Sequence, residues 1–235
     1  MYAVLLAGHK KSGKTQLARM LCRSLRSMGR TVAVAKFSSH PMDKPGSDTN
    51  LLSSEANAMA GFDPETTSLI WPGQWSLLDV LPLLQAEVLI LEGGKHMHCL
   101  PRIVLPRPED APSGLSQGLG IAQWGGHPYS GLRQVYQAEE AARLILERGF
   151  ILPGLDCGEC GRRDCSELAR EIVAGHGKTS YCTAMGGEDI QIDVNGVQLP
   201  LNPFVRQLMQ KTLEGMLSAL KGAGSGQVQI RMRRK

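Results

Sequence analysis

Long apolar runs are absent from this chain of 235 residues. No stretch approaches the ~18 to 20 uninterrupted apolar residues that span a bilayer, and the first run, residues 2–7, enters Gly8 directly. It has no basic leader, no extended apolar stretch and no small-residue cleavage site, so it does not read as a signal peptide, and neither terminus carries a lipidation motif. A cytoplasmic location is expected, with no membrane partner. Charge of one sign is also lacking: 26 basic residues face 22 acidic ones, and Arg231, Arg233, Arg234 and Lys235 alone account for the excess of four. The neutral body does not suit a nucleic-acid-coated surface, so no nucleic-acid partner is expected. Cysteines are too few and too uneven for a disulfide scaffold, since four of the six fall between 157 and 182 while Cys22 and Cys99 stand apart. That clustering suggests a metal site in a reducing compartment. No internal repeat is visible. With 42% hydrophobic and 20% charged residues, the composition is that of a globular protein, and disordered and fibrous classes drop out.

Apolar runs at 2–7 and 31–37 flank a segment, 14–28, in which Leu17, Ala18, Leu21, Cys22, Leu25 and Met28 recur at spacings of three and four before Gly29. This is one βαβ unit with a C-terminal glycine stop. Residues 38–54 read as a loop, rich in Ser, Pro, Asp, Gly and Asn. Further strands are expected at 67–71, 87–91, 102–105 and 119–124, with helices at 76–84 and 136–148. Composition shifts near residue 150, where glycines and cysteines replace periodic patterns until about 187. Beyond it, 189–194, the pair Asn195-Gly196 and 197–199 give a hairpin signal. A helix at 203–220 with Asn202 as cap follows, and then an alternating segment at 228–232 that suits an edge strand. The expected fold class is α/β, a P-loop NTPase parallel sheet flanked by helices, followed by a small four-cysteine domain and a C-terminal hairpin plus helix. The domains are 1–150, 151–187 and 188–235.

Gly8, His9, Lys10, Lys11, Ser12, Gly13, Lys14 and Thr15 match G-x4-G-K-[ST], between an apolar strand and an amphipathic helix. The glycines let successive backbone N–H groups curl around an anionic phosphate, and the helix N-terminus adds its partial positive charge. Lys14 would reach the β- and γ-phosphates, and the Thr15 hydroxyl would ligate Mg²⁺. A second acid should complete the magnesium site from a neighbouring strand end, and Glu92 follows the run at 88–91 directly. Asp43 and Asp48, after the second strand, are candidates for a γ-phosphate or magnesium sensor, or else for capping a turn.

The second centre is Cys157-x2-Cys160-x4-Cys165-x16-Cys182. Three thiolates in nine residues, with Gly158 and Gly161 between them, suit a [4Fe-4S] cluster whose irons each take one cysteine. Zinc remains open, although it would more naturally bring two C-x2-C pairs. His96, His98 and Cys99 could form an independent metal site, although a lone H-x-H-C on a loop is more often incidental.

The segments Gly8 to Thr15, Lys44-Pro-Gly-Ser-Asp48-Thr-Asn with Glu55-Ala56, and Leu89-Ile-Leu-Glu92-Gly93-Gly-Lys95-His96 with Leu100-Pro101-Arg-Ile, taken in order, resemble the MobB family of molybdenum cofactor biosynthesis over about residues 1–150. That resemblance implies GTP as ligand, a weak GTPase activity, an adaptor role toward a MobA-like guanylyltransferase or another molybdoenzyme maturation partner, and a homodimer. The histidine-rich stretch common after the second strand in that family is reduced to Phe37-Ser-Ser-His40, and no N-K-x-D segment reads guanine. The stretch from Leu152 through Cys157 and Cys165 to Ala169 is similar to the iron–sulphur domain of the Rnf B subunit and the corrinoid iron–sulphur protein, which implies that the four cysteines ligate one [4Fe-4S] cluster. Two alternatives carry weight beside the GTP-binding accessory protein: a nucleotide-gated iron–sulphur electron-transfer protein and an ATP-dependent metallocluster carrier. The carrier is disfavoured because His9, Lys10 and Lys11 stand where such carriers usually have a lysine and two glycines.

Overall fold

The computed structural model describes residues 1–38, 41–73, 75–111, 114–129, 131–185, 190–194, 197–221 and 228–230. His40, the turn Asn195-Gly196 and the tail 231–235 lie outside them. The chain forms β1 (Tyr2–Gly8), α1 (Lys14–Ser27), β2 (Val32–Lys36), α2 (Asp48–Glu55), β3 (Met59–Phe62), β4 (Thr67–Ile70) and α3 (Leu77–Val80), which runs into a 3₁₀ turn at Leu81–Leu84. It continues through β5 (Val88–Glu92), β6 (Arg102–Leu105), β7 (Gly120–Trp124), β8 (Gln134–Val135), α4 (Ala138–Arg148), α5 (Cys165–Val173), β9 (Asp193–Val194), β10 (Val197–Gln198) and α6 (Pro203–Ser218).

Six strands make one sheet in the order β2-β5-β1-β6-β7-β8, and every pair in it is parallel. The central strands are mostly apolar because both of their faces are covered, with Glu92 at the end of β5 and Arg102 at the start of β6 as charged exceptions. On one face, Val4, Leu6, Ile90 and Ile103 meet Leu17, Leu21 and Leu25 of α1 and Ala141 and Ile145 of α4. On the other, Ala3, Leu5, Leu89, Leu91 and Val104 share a core with Cys99, Leu152, Leu168, Ala169 and Cys182. The cysteine-bearing segment is therefore built onto the sheet face opposite α1.

Several expectations change. The 38–54 stretch is not all loop: α2 starts at Asp48, with the Ser47 hydroxyl accepting from the Asn50 amide at 3.2 Å. No α2 residue is buried, so apolar periodicity could not reveal it. β4 does not join the main sheet but pairs antiparallel with β3, a strand missing from the sequence reading. Helix α5, also unforeseen, begins on Cys165 itself, with Asp164 accepting from the Glu167 amide at 2.8 Å. Val228–Ile230 is not a strand, and 231–232 lie outside the described residues. The other expected elements stand. Gly29 closes α1 by bonding the Arg26 carbonyl at 3.0 Å, and Asn202 caps α6 by accepting from the Val205 amide at 2.9 Å. Among the described residues no helix is long and apolar enough to cross a membrane.

Leu21 is fully buried between α1 and the sheet. Leu21→Ala is expected to cost about 2–5 kcal/mol of unfolding free energy, measured by urea denaturation, since the helix cannot collapse onto a rigid sheet to fill the void.

Candidate nucleotide and iron–sulphur sites

The strand registers assemble the first site. Leu6 lies opposite Glu92 and Gly8 opposite Leu105, so the chain leaves β1, β5 and β6 side by side at one edge of the sheet. Between β1 and α1 the backbone curls through Lys11 at φ 65 and Gly13 at φ 89, the latter in a left-handed conformation that glycine adopts without penalty. Lys14 folds back over this loop, donating to the carbonyls of Gly8 at 3.1 Å and His9 at 2.5 Å. Burial pulls its ammonium below the usual lysine range, against the opposing effect of the Glu92 carboxylate.

Thr15 donates its hydroxyl to Glu92 Oε1 at 2.7 Å across 77 residues of sequence. Glu92, 9% exposed, also takes Lys36 Nζ at 3.4 Å from the end of β2. The threonine and acid expected at a magnesium site are thus adjacent. Asp48 is the first residue of α2, and among the described residues no hydrogen bond or ion pair ties it to the loop. Asp43 accepts from the Ser47 hydroxyl at 3.0 Å, which is turn-forming work.

Sequence reasoning missed the strap that holds the loop from the β6 side. Asp110 Oδ1 pairs with His9 Nε2 at 2.7 Å, Asp110 Oδ2 accepts from the Arg107 amide at 2.7 Å, and the Arg107 guanidinium donates to the Lys10 carbonyl. No motif marks 106–110; its role becomes legible only when β6 is known to lie beside β1.

After Glu92 the chain turns through Gly93 at φ 86, where a Cβ would stand 2.7 Å from the Phe37 carbonyl. The Phe37 ring meets His96 edge-on at a centroid distance of 5.3 Å. His98 contacts the Arg102 guanidinium at 3.3 Å, and among the described residues no three metal-ligating side chains gather there. Cys99 is buried, and that burial, reinforced by the neighbouring Cys165, pushes its thiol up to about 11. The Leu152 amide donates to the Cys99 carbonyl at 2.8 Å, joining this loop to the cysteine segment.

In that segment Cys157, Cys160 and Cys165 are half-buried, Cys182 is buried, and all are free thiols. Asp156, Gly158 and Gly161 take positive φ, so the backbone bends between the first thiols as their glycines suggested. Asp156 Oδ1 accepts from the Cys165 amide at 2.8 Å. Arg162 donates twice to Glu171 Oε2, at 2.8 and 3.1 Å, and to the Cys160 carbonyl at 2.8 Å, while lying 5.5 Å over the Tyr181 ring beside Cys182. One arginine thereby staples the Cys160 turn to α5 and to the approach of Cys182. The Ser166 hydroxyl and the Glu167 amide hold the Asp164 carboxyl down at about 2. Asp164-x-x-Glu167 before Leu168 is a helix-start signature the sequence did carry. Among the described residues no three His, Cys, Asp or Glu side chains converge on a single-ion site. The donor set, four free thiols on a positive-φ backbone, fits an iron–sulphur group.

A parallel sheet, a phosphate loop after its central strand and an acid at the neighbouring strand end define a P-loop nucleotide-binding protein. The family model "Molybdopterin guanine dinucleotide synthesis protein B" matches residues 3–118, and a second, "Putative Fe-S cluster", matches 152–184. A curated Methanocaldococcus jannaschii relative, "Putative molybdopterin-guanine dinucleotide biosynthesis adapter protein", is 25% identical over 231 residues, covering 94% of this chain and 93% of its own. The crystal structure of Bacillus subtilis MobB matches with TM-score 0.52 at 19% identity, over 64% of this chain and 99% of that one. Residues 3–118 thus match the MobB family, and an Fe-S cluster domain follows them at 152–184.

Gly93→Ala is expected to cost more than about 1 kcal/mol, because alanine resists that φ and its methyl would press on the Phe37 carbonyl. A lowered thermal midpoint checks it, and an unchanged midpoint contradicts the turn geometry.

Proposed function

We propose that the protein is a GTP-binding adaptor of molybdopterin guanine dinucleotide biosynthesis with a slow GTPase activity and a [4Fe-4S] domain. The observation that carries the nucleotide half is the Thr15–Glu92 hydrogen bond at 2.7 Å. In P-loop NTPases a hydroxyl and a strand-end acid in this relation hold Mg²⁺. In this reading Lys14 exchanges the carbonyls of Gly8 and His9 for β- and γ-phosphate oxygens. The amides from His9 to Thr15 line the phosphates, Thr15 and Glu92 hold Mg²⁺, and Asp48 senses the γ-phosphate from α2. Lys36 and Arg107 add positive charge beside the loop, which suits a triphosphate.

For the cluster half, Cys157, Cys160, Cys165 and Cys182 are the ligands. When bound, the cluster supplies one-electron chemistry. The chain's own residues shape its seat: Asp156 fixes the Cys165 amide and Arg162 ties the Cys160 turn to α5. The organisation is a nucleotide-binding domain at 1–150, an iron–sulphur domain at 151–187 and a C-terminal part at 188–235. The name of the M. jannaschii relative supports the adaptor role, with a MobA-like guanylyltransferase or another molybdoenzyme maturation protein as partner. Pairing with a second copy fits the apolar surface left open at Leu51, Leu52, Phe62, Leu69 and Trp75. The cytoplasm supplies GTP and a reducing milieu for free thiols.

Lys14→Ala should lower GTP affinity at least 100-fold by titration calorimetry with little change in thermal midpoint, since its present contacts are two backbone carbonyls, that of Gly8 at the end of β1 and the exposed one of His9. Unchanged affinity would contradict the phosphate role. Cys160→Ser should reduce, without abolishing, the brown absorbance near 400 nm of anaerobically purified protein. A colourless wild type holding one zinc would sink the cluster assignment. Anaerobic capture of a guanylyltransferase supports the adaptor reading, and capture of a ferredoxin or reductase instead argues for electron transfer.

A further inference from the structure

Arg102, the first residue of β6, is 0% exposed. Among the described residues no carboxylate pairs with it. Its Nη1 donates to the Leu115 carbonyl at 2.9 Å, and its Nη2 to the carbonyls of Lys95 and Met97 at 2.9 and 3.0 Å, beside His98 Nδ1 at 3.3 Å. Its Nε is buried with no hydrogen-bond partner. Carbonyl dipoles satisfy most of its protons but supply no net charge. A full cation taken out of water is costly unless a net negative charge lies near it. A further cation, Arg170 of α5, repels it. Arg170 itself donates to the Gln117 carbonyl at 3.1 Å.

The position of Arg102 narrows what that negative charge is. Its side chain lies under residues 95–98, on the sheet face opposite α1, and the same loop ends at Cys99. Cys99 shares one core with Cys182, and Cys160 and Cys165 pack against that core. A cluster held by four thiolates is a net anion. The phosphate loop precedes α1, whose core is the other face of the sheet.

We propose that Arg102 is the buried counter-charge of the iron–sulphur site and sets its reduction potential, with Arg170 adding to the same field from the surface. The proposal rests on the iron–sulphur reading of the four cysteines. A positive charge favours the more negative, reduced state, so removing it makes the cluster harder to reduce.

The test is anaerobic redox titration of the full-length protein, following the absorbance near 400 nm and the electron paramagnetic resonance of the reduced state. Wild type is compared with Arg102→Gln and Arg102→Met, both neutral, and with Arg102→Lys. The neutral variants are expected to shift the oxidised-to-reduced ratio at a fixed potential at least tenfold toward oxidised, which is 59 mV for a one-electron couple. Arg102→Lys should stay near wild type, and GTP affinity should not change in any of them. If both neutral variants lose the cluster while Arg102→Lys keeps it at wild-type potential, the charge assignment holds. Equal potentials in all four proteins, equal shifts in the three variants, or loss of the cluster from all three would overturn it in favour of packing alone. A wild type with no chromophore overturns the iron–sulphur reading itself and this assignment with it.

Discussion

Everything chemical in this protein depends on the parallel register of β1 between β5 and β6. Leu6 opposite Glu92 and Gly8 opposite Leu105 bring three strand ends to one edge. From there Thr15 reaches Glu92, and the 106–110 strap reaches His9 and Lys10. The register holds because the strands are buried on both faces, and slipping it by one residue would exchange the two apolar cores. The phosphate loop can adopt its open curl because the rigid strand before it and the helix after it fix both of its ends.

That same two-sidedness gives the chain room for a second centre. The face bearing Leu6 and Ile90 is taken up by α1 and α4, while the face bearing Leu5 and Leu89 is completed by Leu152, Leu168, Ala169 and Cys182. Loop 93–100 touches both sites. It begins at the acid that accepts from Thr15, turns against Phe37, crosses the buried guanidinium of Arg102 and ends at Cys99, whose carbonyl takes the Leu152 amide. The cysteines are therefore part of the body that forms the nucleotide edge.

Much of this was legible in the sequence, for physical reasons. A strand buried on both faces leaves an apolar run, an amphipathic helix leaves a three-four period, and a phosphate loop needs its glycines and lysine at fixed places. These signals marked β1, α1, β5 and the residues from Gly8 to Thr15, and Glu92 followed from its position at a strand end. The cysteine spacing similarly marked the second centre. The misses share a cause as well. Helix α2 buries nothing, so no period betrays it, and α5 is announced by its Asp164 cap more than by its apolar residues. The His9–Asp110 pair and the burial of Arg102 depend on which strands become neighbours, and no local pattern encodes that.

The central claim is that one chain holds a nucleotide at the β1–β5 edge and an iron–sulphur cluster on the opposite sheet face. Native mass spectrometry of anaerobically purified protein with GTP and Mg²⁺ tests it most directly. The account predicts four irons, four sulphides and one nucleotide per chain, with the nucleotide lost in Lys14→Ala and the cluster retained. Zinc in place of iron, or nucleotide retained by Lys14→Ala, would contradict it.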